Sequence, residues 1–176
     1  MDLMKVEIDV KGASAVLASL PPAAMQAAWR RTLRKTSAWI RSQTAKEVGD
    51  ETGIQKKLLR QRMYFYMRSA DTGKVWLGLN PIDAHRLGAV RRTKAGMRAG
   101  KVQFDGAWRK TKAQPRGPIF RRTGKARTPF ERVTMEWAQS GDPAFRRAAR
   151  ACEARLMTVL RQEVNYEVQK ALNRAR

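Results

Sequence analysis

Apolar and charged residues alternate at the start of the chain. In the stretch MKVEIDV, residues 4–10, the apolar residues Met4, Val6, Ile8 and Val10 fall on one side of an extended backbone and the charged residues fall on the other. A period of two is typical of a strand with one buried face. The pattern therefore predicts a β-strand over residues 4–10.

A longer segment carries apolar residues at steps of three and four, the spacing of a helix with one buried face. It follows Pro21 and Pro22, which suit the first turn of a helix because no amide hydrogen is needed there, and it continues to Gly49 and Gly53. Its inward positions are Met25, Trp29, Leu33, Thr36, Ile40, Thr44 and Val48. The pattern predicts a long amphipathic helix, followed by a short basic helix in IQKKLLRQRM, residues 54–63.

A second helical segment closes the chain. We expect it to begin at Pro143, with Asp142 as its N-cap, and to continue over residues 143–175. Arginines occupy its other face. Its apolar positions are Phe145, Ala149, Cys152, Leu156, Val159, Leu160, Val164, Val168 and Leu172.

Between the helices, the chain changes character at Tyr64. The aromatic and β-branched runs MYFYMRS and KVWLGLN lie on either side of Asp71, Thr72 and Gly73, a turn sequence, so a β-hairpin is predicted. Residues 85–127 are rich in glycine and cations and hold few apolar residues, which predicts long basic loops. Two long helices that flank short strands predict an α+β fold, with the helices packed on a small antiparallel sheet.

The length of 176 residues predicts a single domain, 1–176, because a chain of this size buries roughly 70% of its unfolded surface in one core. Its parts are a strand with helices in 1–63, short strands and basic loops in 64–137, and the last helix in 143–175. No apolar run reaches the roughly 18 residues of a membrane span, and the acidic, alternating start differs from a signal peptide. We therefore expect no membrane partner.

The charge is strongly positive, with 37 Lys and Arg against 15 Asp and Glu, a net charge of +22. Residues 85–127 hold fourteen cations and one acid, Asp105, which leaves thirteen positive charges there. Such an excess predicts contact with a polyanion or an acidic protein surface, the alternative being a solvated loop. The cations expected to contact a partner are Arg91, Arg92, Lys94, Arg98, Lys101, Arg109, Lys110, Arg121, Arg122, Lys125 and Arg127.

Residues that carry catalysis are scarce. His85 is the only histidine and Cys152 the only cysteine, so neither a disulfide within the chain nor a cysteine-rich zinc site can form. We interpret His85 as a turn residue and Cys152 as a small buried hydrophobe. The stretch GPIFRRTGKA has six residues between its glycines instead of four, so it is not a phosphate loop. No catalytic residue, cofactor or metal is expected, and the acidic residues are interpreted as solvated or ion-paired: Asp50, Glu51, Glu131 and Glu136.

Five tryptophans raise the question of base stacking. Trp29 and Trp76 fall on the apolar faces of predicted elements. Core packing is therefore the prediction for these two.

Two central segments resemble a known family. VWLGLNPIDAHRLGAVRRTKAGMRAGKVQFDGAW, residues 75–108, and IFRRTGKARTPFERV, residues 119–133, are similar to the central block of the phage minor tail protein Z family, also called tail completion proteins. That block has Gly-Leu-x-Pro-Ile, a basic stretch, Gly-Ala-Phe and an aromatic-Arg-x-Gly-Lys-x-Arg-x-Pro-Ile segment. The matched positions with a structural role are Gly78, Pro81, Ile82, Gly106, Trp108 (a phenylalanine in the family), Gly124 and Pro129.

The chain departs from the family elsewhere. Phe130 stands where an aliphatic residue is usual, and TMEWAQSGDPAF, residues 134–145, lacks the Gly-Pro-Ser expected after the last strand. The opening strand and long helix are similar more loosely. The resemblance therefore rests mainly on the two central segments.

The resemblance implies a structural virion protein without enzymatic activity. It would act in tail completion and head–tail joining at the head-proximal end of a phage tail, after assembly in the host cytoplasm. It would form a ring, six copies matching the symmetry of the tail, with the tail terminator, the tail tube, the connector and phage DNA as candidate partners. The residues alone leave two alternatives: a cytoplasmic basic nucleic-acid-binding protein of nucleoid or ribosomal type, and a nuclease.

Overall fold

The structure, a computed structural model, describes residues 4–7, 21–110 and 117–174, and its architecture is α+β, as predicted. The elements in chain order are β1 (Met4–Glu7), α1 (Pro22–Thr52), α2 (Lys56–Arg60), β2 (Met63–Met67), β3 (Gly73–Leu77), β4 (Ile82–Asp83), a 3-10 turn (Ala84–Arg86), β5 (Val90–Arg92), β6 (Gly96–Ala99), β7 (Val102–Asp105), β8 (Trp108–Arg109), β9 (Ile119–Arg122), β10 (Phe130–Arg132), β11 (Thr134–Met135) and α3 (Ala138–Arg174).

Helix α1 has the predicted bounds and the predicted inward face. Met25 is half-buried and the other six inward positions are buried. Gly53 ends the helix with a φ of +74°, and its amide donates to the Gly49 carbonyl at 3.1 Å. A glycine is favoured there because a side chain would strain this left-handed conformation. The short basic helix α2 is also confirmed.

Helix α3 begins five residues before the predicted start, at Ala138. The amides of Ser140 and Gly141 donate to the Trp137 carbonyl at 3.2 and 2.8 Å, so a helical turn has already formed when the chain reaches Pro143. Proline in this position removes one backbone hydrogen bond close to the helix start. Asp142 therefore lies inside the helix, and its predicted role as N-cap is wrong. The apolar face is buried or half-buried except at Leu172, which is 54% exposed.

The described chain forms two compact units, and the prediction of a single domain stays a prediction. Of the described residues, the first unit contains 4–7, 21–44, 62–78 and 144–174. Within it, the arginine Arg31 meets Glu163, whereas Trp39, further along α1, meets Arg155, earlier in α3. Because the contacts run in opposite order along the two helices, these segments of α1 and α3 are antiparallel. Ala28, Trp29, Leu160 and Val164 form a buried cluster between them.

The first unit also contains an antiparallel sheet with strand order β1-β3-β2. The predicted hairpin is confirmed, with Met63 opposite Leu77 and Tyr64 opposite Trp76. Val75 and Leu77 are buried on one face, and Trp76 is half-buried on the other face, with its ring 5.8 Å from that of Tyr64. The prediction of core packing is thus confirmed for Trp29 and wrong for Trp76. Residues 8–10 of the predicted first strand lie outside the described residues.

Two buried glutamates join the helices of the first unit. Arg31 Nε donates to Glu163 at 2.5 Å, its Nη2 donates to Glu167 at 2.6 Å, and Lys35 Nζ lies 2.5 Å from Glu163. Glu163 and Glu167 are only 4% and 5% exposed. Burial opposes the ionisation of Glu163, but the hydrogen bonds and charges of Arg31 and Lys35 outweigh it, so the pKa of the Glu163 carboxyl lies below its ordinary 4.5.

Of the described residues, the second unit contains 45–61, 79–110 and 117–143, and short strands interrupt the predicted basic loops there. Of the 37 described residues in 85–127, 17 lie in strands, which belong to two three-stranded antiparallel sheets with orders β5-β6-β7 and β10-β9-β8. Strands β4 and β11 form a separate pair. Each strand has two to four residues, and its buried positions are often small, as at Ala99, so the apolar alternation is too short to predict a strand from the sequence.

We expect Glu163→Gln to lower the free energy of unfolding by about 2 kcal/mol at pH 7, because the buried charge partner of Arg31 and Lys35 is lost. The stabilisation from an ionised group with a lowered pKa is complete above its unfolded value and is lost as pH falls through its folded value. The difference between wild type and Glu163→Gln should therefore shrink below pH 4.5. Urea unfolding across pH measures both effects.

Glu153→Gln is the matched control, because Glu153 lies on the same helix and is exposed. Its unfolding free energy should match that of wild type within about 0.5 kcal/mol. A loss equal to that of Glu163→Gln would show that buried ion pairing does not hold the helices.

Candidate partner-binding surface

The sheet of β5, β6 and β7, here called the basic sheet, carries the first group of predicted contact residues. Its strands and turns place these cations on a paired backbone instead of in loops: Arg91 and Arg92 on β5, Lys94 before β6, Arg98 on β6, and Lys101 before β7. All five are exposed. The structure therefore brings them together on one small sheet.

The two faces of the basic sheet differ. Arg91 lies directly opposite Arg98, a pairing of like charges that destabilises a sheet. Arg92 lies opposite Met97, on the face that also bears the buried Ala99. Consecutive arginines of β5 thus point to opposite faces of the sheet.

The sheet of β8, β9 and β10, here called the aromatic sheet, carries three packed rings. The ring centroids of Trp108 and Phe120 lie 5.7 Å apart, those of Trp108 and Phe130 5.5 Å, and those of Phe120 and Phe130 5.4 Å. The pairing of Trp108 with Phe120, and of Phe120 with Arg132, puts Arg132 on the same face. Phe130 is 37% exposed, so the cluster reaches the surface.

Cations surround this aromatic cluster. Lys110 Nζ lies 6.0 Å from the centre of the Phe130 ring, and Arg122 is opposite Phe130 across the strands. Arg121 lies on the other face, 3.9 Å from Glu131, where an exposed pair contributes little stability. Lys125 and Arg127 are exposed in the connection between β9 and β10. Sequence reasoning missed Arg132, which the alternation of FER, residues 130–132, could have indicated.

The residues matched to the family motif lie in turns and at strand ends. Gly78 donates its amide to the Arg62 carbonyl at 2.9 Å at the end of β3. Pro81 is exposed and Ile82 is buried in β4. Gly106 turns the chain with a φ of +66° between β7 and β8. Two further positions, Gly124 and Pro129, lie in the exposed β9–β10 connection.

A cavity of about 640 Å³ lies within the second unit, and Val90, Arg92, Lys94, Met97, Trp108 and Arg109 are among the residues that line it. We call it the Arg109 cavity. Arg109 is half-buried, unlike the other predicted contact cations. Its Nε and Nη2 atoms and Trp108 Nε1 are buried without a hydrogen-bond partner in the described part of the chain.

The residues considered for catalysis lie apart and are engaged elsewhere. Asp50 binds Lys56 at 2.9 Å, and Glu51 accepts a hydrogen bond from Ser140 at 2.7 Å. Cys152 is buried on α3, as predicted, and burial raises the pKa of its thiol. Within residues 4–7, 21–110 and 117–174, no three His, Cys, Asp or Glu side chains are grouped to bind a metal.

The described helices include none that is both long enough and apolar enough to cross a membrane. The position of His85 in the 3-10 turn agrees with its interpretation as a turn residue. Among the described residues, a pair of basic, partly aromatic sheets is an arrangement that suits binding of an acidic partner.

No protein-family model, curated protein or solved structure matches this chain. The likeness of residues 75–108 and 119–133 to tail completion proteins therefore stays a prediction. The geometry of the two sheets does not depend on that likeness and bears separately on function.

We expect Gly96→Ala to lower the free energy of unfolding by about 2 kcal/mol or more, because overpacked positions cannot relax without moving their surroundings. A Cβ at Gly96 would lie 2.3 Å from the Phe104 carbonyl oxygen and 2.9 Å from the Gly106 amide nitrogen, both backbone atoms. Gly124→Ala is the control, since a Cβ there meets no atom within 4 Å. Urea unfolding of both variants gives the comparison, and equal midpoints would contradict this close approach.

Proposed function

We propose that this protein is a structural component of a phage tail, acting in tail completion and head–tail joining at the head-proximal end. The proposal includes no enzymatic activity and no cofactor. The observation that carries it is the exposure of the cations in the two segments that resemble tail completion proteins. Several of these cations lie on short paired strands and others lie in the connections between strands.

The distribution of charge supports contact with a partner. Arg91 faces Arg98 across two strands, and such a like-charge pair is more favourable once an anion neutralises it. Apolar residues such as Met97, Ala99 and Ile119 form the buried side of these strands. The sheets therefore do not depend on their exposed cations for packing, which leaves those side chains available for binding.

Assembly into a ring would multiply weak contacts. Several copies joined in a closed ring present the same basic sheet repeatedly, and linked sites bind more tightly than single ones. Six copies would match the symmetry of a tail. The partners we propose are the tail terminator, the tail tube and the connector, with phage DNA as a further contact, in the virion and in the host cytoplasm during assembly.

A second candidate function has its own observation. Trp108, Phe120 and Phe130 form an aromatic cluster beside Lys110 and Arg122, an arrangement that can stack bases and hold a nucleic-acid backbone. This favours a cytoplasmic basic nucleic-acid-binding protein of nucleoid or ribosomal type. The same charges would then bind RNA or DNA in the cell.

We expect particles of the producing phage that lack this chain to show filled heads beside separate or defective tails in electron microscopy. The triple change Arg91→Glu, Arg92→Glu and Lys94→Glu should give the same particles while the purified chain stays folded, because it reverses charges on exposed positions. Normal infectious virions without the chain would overturn the proposal.

The matched control reverses three exposed cations of the long helices, Arg30→Glu, Arg34→Glu and Arg161→Glu. It changes the net charge by the same amount, and we expect it to leave joining intact. Equal defects in both triple variants would show that total charge matters instead of the basic sheet.

If the protein instead binds nucleic acid, we expect its affinity for duplex DNA to depend strongly on the salt concentration. If about six phosphates are neutralised on duplex DNA, log affinity should fall against log salt with a slope near −5, at about 0.9 per phosphate. Fluorescence anisotropy with a labelled duplex measures the slope. Absence of binding at low salt would remove DNA as a partner and leave the protein partners as the reason for the charge.

A further inference from the structure

The Arg109 cavity is lined by hydrogen-bond donors that carry positive charge. Arg92, Lys94 and Arg109 contribute three cations, and none of the described residues that line the cavity is an Asp or Glu. The Thr93 hydroxyl oxygen already accepts hydrogen bonds from the Gly96 amide at 3.1 Å and from Gln103 Nε2 at 2.9 Å. The chemistry of the lining therefore suits an anion.

Arg109 indicates more specifically which kind of anion the cavity binds. Its Nε and Nη2 atoms form one edge of the guanidinium, the edge that holds both oxygens of a carboxylate. Both atoms are buried and without a partner in the described part of the chain, as is the neighbouring Trp108 Nε1. Burying donors without acceptors is unfavourable, so binding an acceptor there would relieve a penalty already present.

The same chain shows what this edge binds when an acceptor is present. Arg31 uses its Nε and Nη2 to bind the carboxylates of Glu163 and Glu167 at 2.5 and 2.6 Å. In Arg109 the two equivalent atoms are buried and have no such acceptor within the described residues. The two arginines differ in whether the chain itself supplies the carboxylate.

We propose that the Arg109 cavity binds a carboxylate side chain of an acidic protein segment. On binding, the Arg109 guanidinium turns its buried Nε–Nη2 edge into the cavity to hold the two oxygens, while Arg92 and Lys94 neutralise the charge. The inference deepens the proposed function, on which it rests for the origin of the segment. The occupant of this part of the basic surface is then an acidic partner protein.

The shape of the site favours a protein carboxylate over a duplex phosphate. Arg109 is one of the residues that line a recess, whereas the phosphates of a duplex lie on a wide, rigid backbone. A glutamate side chain is narrow, and its methylene groups match the apolar side chains of Val90 and Met97 in the lining. A second copy of this chain is a poor donor of an acidic segment, because its 15 acids include no run longer than Asp50-Glu51.

The first test measures binding of a labelled peptide of six glutamates to the purified full chain by fluorescence anisotropy, with a peptide of six glutamines as the uncharged probe. We expect Arg109→Gln to weaken binding of the glutamate peptide about tenfold or more, because a bidentate charged contact is lost. Arg92→Gln should weaken it several-fold. The glutamine peptide should bind far more weakly than the glutamate peptide to wild type.

Arg91→Gln is the matched control, because it removes the same charge one residue away and on the other face of β5. Arg91 is not among the residues that line the Arg109 cavity. We expect a loss of less than about twofold, the effect of screened charge alone. Equal losses for Arg91→Gln, Arg92→Gln and Arg109→Gln would show that the peptide binds through the overall positive charge of the surface instead of through the Arg109 cavity. That result would overturn the proposal.

The second test measures thermal stability and separates a binding role from a structural one. Arg109→Met removes two buried donors without partners and keeps a long side chain, so its Tm should rise by about 2 °C or more. Its peptide affinity should fall together with that of Arg109→Gln. A lower Tm would show that Arg109 stabilises the free chain, which would overturn the inference.

A third arm uses a twelve-residue oligothymidylate as competitor. If it displaces the glutamate peptide and loses affinity in Arg109→Gln by the same factor, the site takes nucleic acid and the protein assignment is overturned. These binding results do not depend on the particle phenotype. Normal virions without the chain, together with selective loss in Arg109→Gln, would remove the tail role and leave the carboxylate site standing.

Discussion

The shortage of carboxylates governs how this chain is organised. With 15 acids for 37 cations, at least 22 cations have no carboxylate of their own, so the position of each acid matters. Glu163 and Glu167 are placed inside, between the two long helices, where each contacts Arg31. Arg31 and Lys35 lower the pKa of the Glu163 carboxyl, and the ion pairs of both glutamates link α1 to α3 more specifically than apolar packing alone. The remaining positive charge must be carried on surfaces.

The second unit carries much of that positive charge on short, paired β-strands. Alternation along a strand sends one side chain to the buried face and the next to solvent, so a sheet of two- to four-residue strands can expose arginines while Met97, Ala99 and Ile119 pack beneath. Loops would leave the same cations free to separate. Pairing of β5 with β6 instead holds Arg91 opposite Arg98, and it concentrates a charge that an anion can neutralise.

The sequence could predict the long elements because their periodicity is sustained over many turns. It failed where signals were short or ambiguous: the strands of residues 85–127 show too few alternations, and Pro143 suggested a helix start although the helix had already begun at Ala138. The link from Arg31 and Lys35 to Glu163 and Glu167 was predictable in principle, since each pair has the four-residue spacing of one helix face. The unpartnered edge of Arg109 could not be found from sequence, because it depends on which side chains bury it.

The same edge of the guanidinium group has acceptors in Arg31 and has none among the described residues in Arg109. A guanidinium edge that is removed from water needs hydrogen-bond acceptors. In Arg31 the carboxylates of two buried glutamates, Glu163 and Glu167, are these acceptors. The chain supplies none to Arg109 within the described residues, although acids are available elsewhere on the surface, as at Glu131. Buried donors without an acceptor lower stability, so their presence is easier to understand where a partner supplies the acceptor. A carboxylate bound at the Arg109 cavity, as we propose, would repeat with a partner protein the interaction that joins the two helices internally.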